Sequence, residues 1–502
     1  MREEFGAVWR VWTDRLFGRR WPVAEIAVLV AFMIASVFET PIVAAVAFAL
    51  FIELFIIAVI QRRPVDIALL AGLYFVFRFN LIAASPVFRY GTDLITVATA
   101  LMVLILLVGR SARLRWYDWI FVAFGVYSAG VGLMRDVPVT PLLVQLRALL
   151  GVYPLFVLVR ELGFERAGDR APAVLAFYHL FAWALLAQAF IEKATGKLLF
   201  MTAFVRLGGI SFTNWPRVYG WTANPNSLGA LCVLLIGVGL LLAAWGFKGR
   251  WLNTAISLYF ATLMLSVSRS ALWGLLVLLA IILFKPTFEG TARRAIGKLA
   301  AKRFAIGAAI AVSAIVVSLI VPLVMPFFVS SVEGADEGFG IYERFITGED
   351  EVEGSMKGGR LFSLRTGLTI ATQGADDLLI GQGPATYGSA GSNFWESPLY
   401  EPFDIPEGFY ADMFMVMMVV EVGLVGLGLF VLGLVGLMRD NRGMPLAWRF
   451  AILAVLTLWC LFYNVPELAM LFFPILMFMG VPLGRPAPAQ AAALSEEVWV
   501  RS

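Results

Sequence analysis

Long apolar runs, separated by short basic or polar breaks, set the pattern of this chain from residue 22 to residue 483. A helix needs about 20 apolar residues to cross a ~30 Å hydrocarbon core. Runs of that kind predict spans at 22–38, 41–60, 64–84, 93–109, 116–134, 140–160, 171–191, 226–246, 251–268, 270–285, 304–327, 409–438, 447–463 and 467–483. The expected fold class is therefore an all-α polytopic membrane protein with about 12–14 transmembrane helices. The 409–438 run is long enough to begin as an interfacial helix. The pattern predicts four regions: helices and short loops over 1–327, a large polar loop over 328–408, C-terminal helices over 409–483, and a Pro- and Ala-rich tail over 484–502. Within the first region, 192–225 is less apolar, and Leu198–Ile210 reads as an amphipathic helix lying on the outer leaflet. No small-residue cleavage site follows the first apolar run, which predicts an anchor rather than a signal peptide.

Composition agrees, with 60% hydrophobic and 15% charged residues and a mean hydropathy of +0.84. Charge adds orientation. Arg62 and Arg63, then Arg110, Arg113 and Arg115, then Arg160, Arg166 and Arg170 fall in one alternating set of loops. Lys248 and Arg250, the cluster Arg293 to Arg303, and Arg439 and Arg442 continue it. The positive-inside rule makes that set cytoplasmic, with both termini, and makes 328–408 extracytoplasmic. Residues 328–408 hold 14 acids against 4 basic residues, a net −10. The chain as a whole carries +4, which leaves +14 for the remainder. That split predicts no nucleic-acid partner.

Candidate chemistry is sparse. Cys232 and Cys460 both lie in apolar runs, so no disulfide framework or cysteine-based zinc site is expected. His179 sits among Phe177, Tyr178 and Phe181 and reads as a packed histidine. The run Glu349–Glu353 reads as a solvated charge run rather than a metal site. Arginines near the outer face remain: Arg217, Arg269 and Arg360, with Arg147, Arg206 and Arg365 as secondary members. A cation at bilayer depth costs at least ~2.5 kcal/mol, so Arg269 in its tight turn should face an anion or a wet cavity. Guanidinium forks suit a pyrophosphate. The plainer role for Arg206 and Arg365 is contact with lipid headgroups. Asn224-Pro225-Asn226 is turn chemistry, and Asn226 or Ser227 can cap the next span. Asp412 starts a span near the outer surface, in Phe409-Tyr410-Ala411-Asp412. Glu421 lies nine residues further on, facing the other way on a helix, and reads as a structural contact.

These residues resemble a family. Arg217…Gly220…Asn224-Pro225-Asn226…Leu228-Gly229, Ser268-Arg269-Ser270-Ala271, Gly359-Arg360 with Gly381-Gln382-Gly383, and Glu421-Val422-Gly423-Leu424-Val425-Gly426 together look like the O-antigen ligase and polymerase superfamily. The similarity covers roughly 140–440. It implies a GT-C-like membrane fold in the bacterial inner membrane. It also implies glycan transfer from undecaprenyl diphosphate on the periplasmic side, without metal or cofactor. Arg360 and Arg269 would act in catalysis with Asp412, and Arg217, Asn224, Asn226, Arg147, Arg365 and Tyr410 would bind substrate. The ligases carry a histidine about ten residues before a Gly-x-x-Gly pair. Here Gly423 and Gly426 match the pair and Asp412 stands at the histidine position, which looks more like the Wzy-type polysaccharide polymerases. The partners implied are lipid-linked oligosaccharide donor and acceptor, membrane lipid and a chain-length regulator. Two rivals are a ligase onto lipid A core or another acceptor, and a lipid-linked oligosaccharide flippase. The flippase has little use for an 81-residue outer loop.

Overall fold

The structure is a computed structural model that describes Phe17 and residues 22–38, 40–163, 171–195, 218–222, 225–244, 249–284, 290–324, 360–406, 409–411, 413–441, 444 and 446–480. In chain order the helices are α1 (Val23–Phe38), α2 (Pro41–Ile60), α3 (Pro64–Ala84), α4 (Gly91–Val108), α5 (Trp116–Met134), α6 (Val139–Leu150), α7 (Tyr153–Glu161), α8 (Ala171–Thr195) and α9 (Pro225–Ala244). They continue with α10 (Arg250–Ser266), α11 (Arg269–Phe284), α12 (Gly290–Val324), α13 (Arg360–Ala371), α14 (Ala375–Leu379), α15 (Phe414–Asp440), α16 (Leu446–Phe462) and α17 (Ala469–Gly480). No strand occurs among the described residues. Among the described residues, eight helical segments are long and apolar enough to cross a membrane, and five further apolar helices run 10–17 residues. Side chains such as Ile42, Val46, Ile60 and Val108 stand exposed on these helices. An apolar surface of that extent suits lipid rather than water.

Boundaries differ from the expected ones where local chemistry intervenes. The span expected at 140–160 is two helices that break at Gly151 and Val152. The interfacial start expected at 409 is not helical over 409–411, and α15 begins at Phe414. Pro225 opens α9, so Asn226 and Ser227 lie in its first turn rather than capping it. The amphipathic helix expected at Leu198–Ile210 falls outside the described residues.

Two compact units divide the chain. In unit 1, comprising 1–91, 162–343 and 483–502, α1, α2 and α3 pack together, and α10 packs against α8, α9 and α12. Without a hydrophobic force between helices in lipid, close approach relies on small residues. A Cβ on Gly229 of α9 would lie 2.7 Å from Ser268 Cβ and 2.8 Å from Ala271 Cβ of α11. Trp221 is fully buried, stacks on Phe77 at 4.6 Å, and its carbonyl accepts from Asn80 Nδ2 at 3.1 Å.

Unit 2, comprising 92–161 and 344–482, is built around α15, which touches α5, α13, α14, α16 and α17. α5 and α15 run antiparallel, with Phe430 against Phe121 and Phe124, and Tyr117 beside Gly436. One end of this unit carries Arg115 paired with Asp440, and Arg160, wholly buried, paired with Asp118 and Glu161. The opposite end carries Arg135 paired with Asp377 at 2.9 Å, and the polar segment 372–411.

Candidate functional site

The polar segment of unit 2 is held by glycines. α15 is not a continuous helix, because Gly423 sits at φ 66°, ψ −176°. The carbonyls of Val420 and Glu421 would face Leu424 and Val425 N–H in a regular ladder. Gln382 N–H and Gly383 N–H donate to them instead, at 2.7 and 2.8 Å. The two strands of backbone lie so close that a Cβ on Gly381 would fall 2.5 Å from Glu421 O and 2.6 Å from Gly423 N. A Cβ on Gly423 would overlap the Leu379 carbonyl. Only glycine fits either position, for space and for φ. Tyr127 of α5 donates its hydroxyl to Val422 O at 3.2 Å, beside this junction. The Gly-Gln-Gly and Gly-x-x-Gly motifs, some forty residues apart in sequence, are thus the two sides of one backbone contact.

Beyond the junction the chain folds over two buried carboxylates. Glu421 Oε1 accepts Tyr387 N–H at 3.0 Å. Glu467, in the connection between α16 and α17, accepts Gln145 Nε2 at 2.7 Å, Ala390 N–H at 3.1 Å and the Tyr410 hydroxyl at 3.2 Å. Gln145 of α6 in turn accepts Gly391 N–H at 3.1 Å. Gly388, at φ 60°, lets its carbonyl take Ala411 N–H at 2.7 Å. Thr386, Ser397 and Trp395 donate to carbonyls of the same segment. The Tyr387 hydroxyl reaches Ser363 O of α13 at 2.6 Å. Burial pushes the phenols of Tyr387 and Tyr400 up. The result is a polar cap tied by hydrogen bonds to the neighbouring helices, with the 409–411 segment along it.

The candidate residues divide between the units. In unit 2, Tyr410 is half-buried on Glu467. Arg147 is half-buried, with Nη1 3.0 and 2.8 Å from the two Asp93 oxygens, so its charge is already paired. Arg365 is exposed on α13, which suits its plainer role at headgroups. Arg360 opens α13, and its side chain lies outside the described part, as does all of Asp412. In unit 1, Asn226 Oδ1 accepts the Ser268 hydroxyl at 3.1 Å, which joins the Asn-Pro-Asn and Ser-Arg-Ser-Ala motifs. Arg269 opens α11 and is exposed. Arg217, Asn224 and Arg206, with the acidic run 349–353, lie outside the described residues. Buried Glu192 accepts Tyr219 and Gly220 N–H at 3.0 and 3.1 Å and so fixes the stretch that leads into Asn226. His179 stacks on Trp251 at 5.7 Å, consistent with a packing role.

Sequence reasoning missed Glu467 and Gln145. A signal existed for Glu467: a lone carboxylate in Asn464-Val465-Pro466-Glu467, between two apolar runs, has to find partners there. It was instead expected as the first residue of the last span. No group of three or more metal-ligating residues occurs among the described residues.

No protein-family model matches the chain, and no curated protein matches it. Fold and composition define the class: an all-helical, multi-pass membrane protein.

Proposed function

We propose that this protein is a GT-C-like membrane glycosyltransferase that polymerises undecaprenyl-diphosphate-linked oligosaccharides on the periplasmic face of the bacterial inner membrane. The observation that carries this reading is the junction of Gly381-Gln382-Gly383 with Gly423, which anchors a polar cap and the Phe409–Ala411 segment beside it. That is where the family resemblance puts the acceptor side of the site. The opposite ends of unit 2 also support the orientation. Arg110, Arg113, Arg115, Arg160 and Arg439 sit towards one end, and Asp376, Asp377, Glu396, Glu401 and Asp404 belong to the segment at the other.

In this reading the donor enters laterally, since its polyprenyl tail has no reason to leave the bilayer. Arg360 neutralises the charge that develops on the departing diphosphate, which is transition-state electrostatics, and the family resemblance assigns the same chemistry, by sequence, to Arg269 and Arg217. The cap holds the acceptor hydroxyl against the anomeric carbon and converts a bimolecular step into a positioned one. The acceptor oxygen forms the new glycosidic bond as the bond to diphosphate breaks, with inversion, and Asp412 takes the hydroxyl proton.

The test is purified protein with lipid-linked repeat units, scored as a ladder on a gel. Arg360→Ala and Arg269→Ala should each slow ladder formation by roughly 10²–10³-fold, and lysine should rescue poorly because the fork is lost. A near-normal ladder from either variant rejects the assignment. Transfer to a final acceptor without chain growth would make the protein a ligase instead.

A further inference from the structure

Glu467 plays no part in the reaction as set out above, yet it is among the most connected side chains of unit 2. It is 8% exposed and gathers donors from three separate pieces of chain: Gln145 Nε2 from α6, Ala390 N–H from the cap, and the Tyr410 hydroxyl from the 409–411 segment. Ala390 N–H lies between both oxygens, at 3.3 and 3.1 Å, and Gln145 carries the contact on to Gly391 N–H. We propose that Glu467 is a positioning residue for the acceptor side of the site, setting Tyr410 and the Ala390–Gly391 backbone in place, and that its protonation state tunes how firmly that side is held. This inference rests on the glycosyltransferase reading only for what the positioned segment does.

The geometry makes the dependence on charge specific. Two carboxylate oxygens offer about four acceptor sites, so three donors are accommodated without loss. The same three can be met by a protonated group if the Tyr410 hydroxyl turns to accept, because a phenol both donates and accepts. Facing Glu467 are Gln145 from α6, Asn464 from its own connection, Tyr410, and the Glu421 carboxyl from α15, a like charge when both are ionised. Burial pushes the Glu467 carboxyl up to about 7, against the pull of its donors. An acid raised above its ordinary 4.5 stabilises the folded cap most below that value, and loses the contribution as pH rises through about 7. The cap is therefore held more firmly at mildly acidic than at alkaline pH.

The experiment is hydrogen exchange on the full chain in lipid nanodiscs, corrected for intrinsic rates and referred to α5 at each pH. In the wild type, protection at 387–391 and 409–411 should fall roughly tenfold between about pH 5.5 and about pH 8. Glu467→Gln keeps a carbonyl for Gln145 and Ala390 and offers an amide to Tyr410, so its protection should persist and become independent of pH. Glu467→Ala should lose roughly tenfold at both stretches at every pH. Unchanged protection in Glu467→Ala overturns the proposal. If that variant does not fold, a wild-type pH dependence in Glu467→Gln overturns it equally. In the ladder assay, Glu467→Gln should flatten the pH profile, and Glu467→Ala should raise the KM for lipid-linked acceptor at every pH with the donor KM unchanged. If the wild type makes no polymer, the glycosyltransferase reading fails, while the exchange data still decide the role of Glu467.

Discussion

Substituting Gly423 by alanine tests the central structural claim. The residue lies at φ 66°, ψ −176°, a region that non-glycine residues essentially do not occupy. The strain alone costs roughly 1–3 kcal/mol. In addition, the new methyl would overlap the Leu379 carbonyl and lie 2.6 Å from Ile380 N, and backbone cannot swing aside as a long side chain can. The junction must then open, giving up the two bonds from Gln382 and Gly383 at roughly 1 kcal/mol each. A destabilisation of about 3 kcal/mol or more follows, which in a unit of this size means a melting shift of roughly 6–12 °C. The assay is thermal melting of purified protein in detergent, followed by size-exclusion fluorescence. Gly428→Ala on the same helix is the control. Nothing lies within 4 Å of its Cβ position, so it should be neutral or stabilising by up to about 1 kcal/mol. If Gly423→Ala melts together with the control, the backbone contact is not what holds the cap.

Three further outcomes are expected. Asp118→Asn strips one of two carboxylates from Arg160, which has no exposed side-chain surface and keeps Glu161, and should cost roughly 2–3 kcal/mol in the same melt, whereas Glu396→Gln on the exposed cap should cost almost nothing. Cysteine at exposed Glu396 or Glu401 should react with impermeant maleimide in spheroplasts and cysteine at exposed Ser111 should not; equal labelling overturns the orientation. Asp412→Asn should keep donor binding and lose most ladder formation, and Asp412→His should also fail as a polymerase; normal ladders from both would move the search for the proton acceptor to Asp404 and Glu407.

Much of the architecture was legible because the bilayer imposes it. Hydrocarbon thickness fixes how long an apolar run must be, so the helices at 41–60, 64–84 and 116–134 match expectation and the one at 225–244 falls within two residues of it. Periodicity could not show the break at Gly151–Val152, because both halves are equally apolar. Nor could it show that α13 and α14 fold inside what reads as loop, where contact with α15 rather than propensity decides. The glycine motifs stood out in sequence, but their meaning did not: a Gly-x-Gly predicts close backbone approach without saying to what. Only the tertiary structure brought Gly381 against Gly423, and Asn226 against Ser268. Arg147 shows the converse. Its charge invited a phosphate, and Asp93, 54 positions away, already takes it. Glu467 reads in sequence as one acid at the edge of an apolar run. The fold surrounds it with donors from three distant segments, because a buried carboxylate in a low-dielectric setting has to be satisfied by whatever the packing brings near.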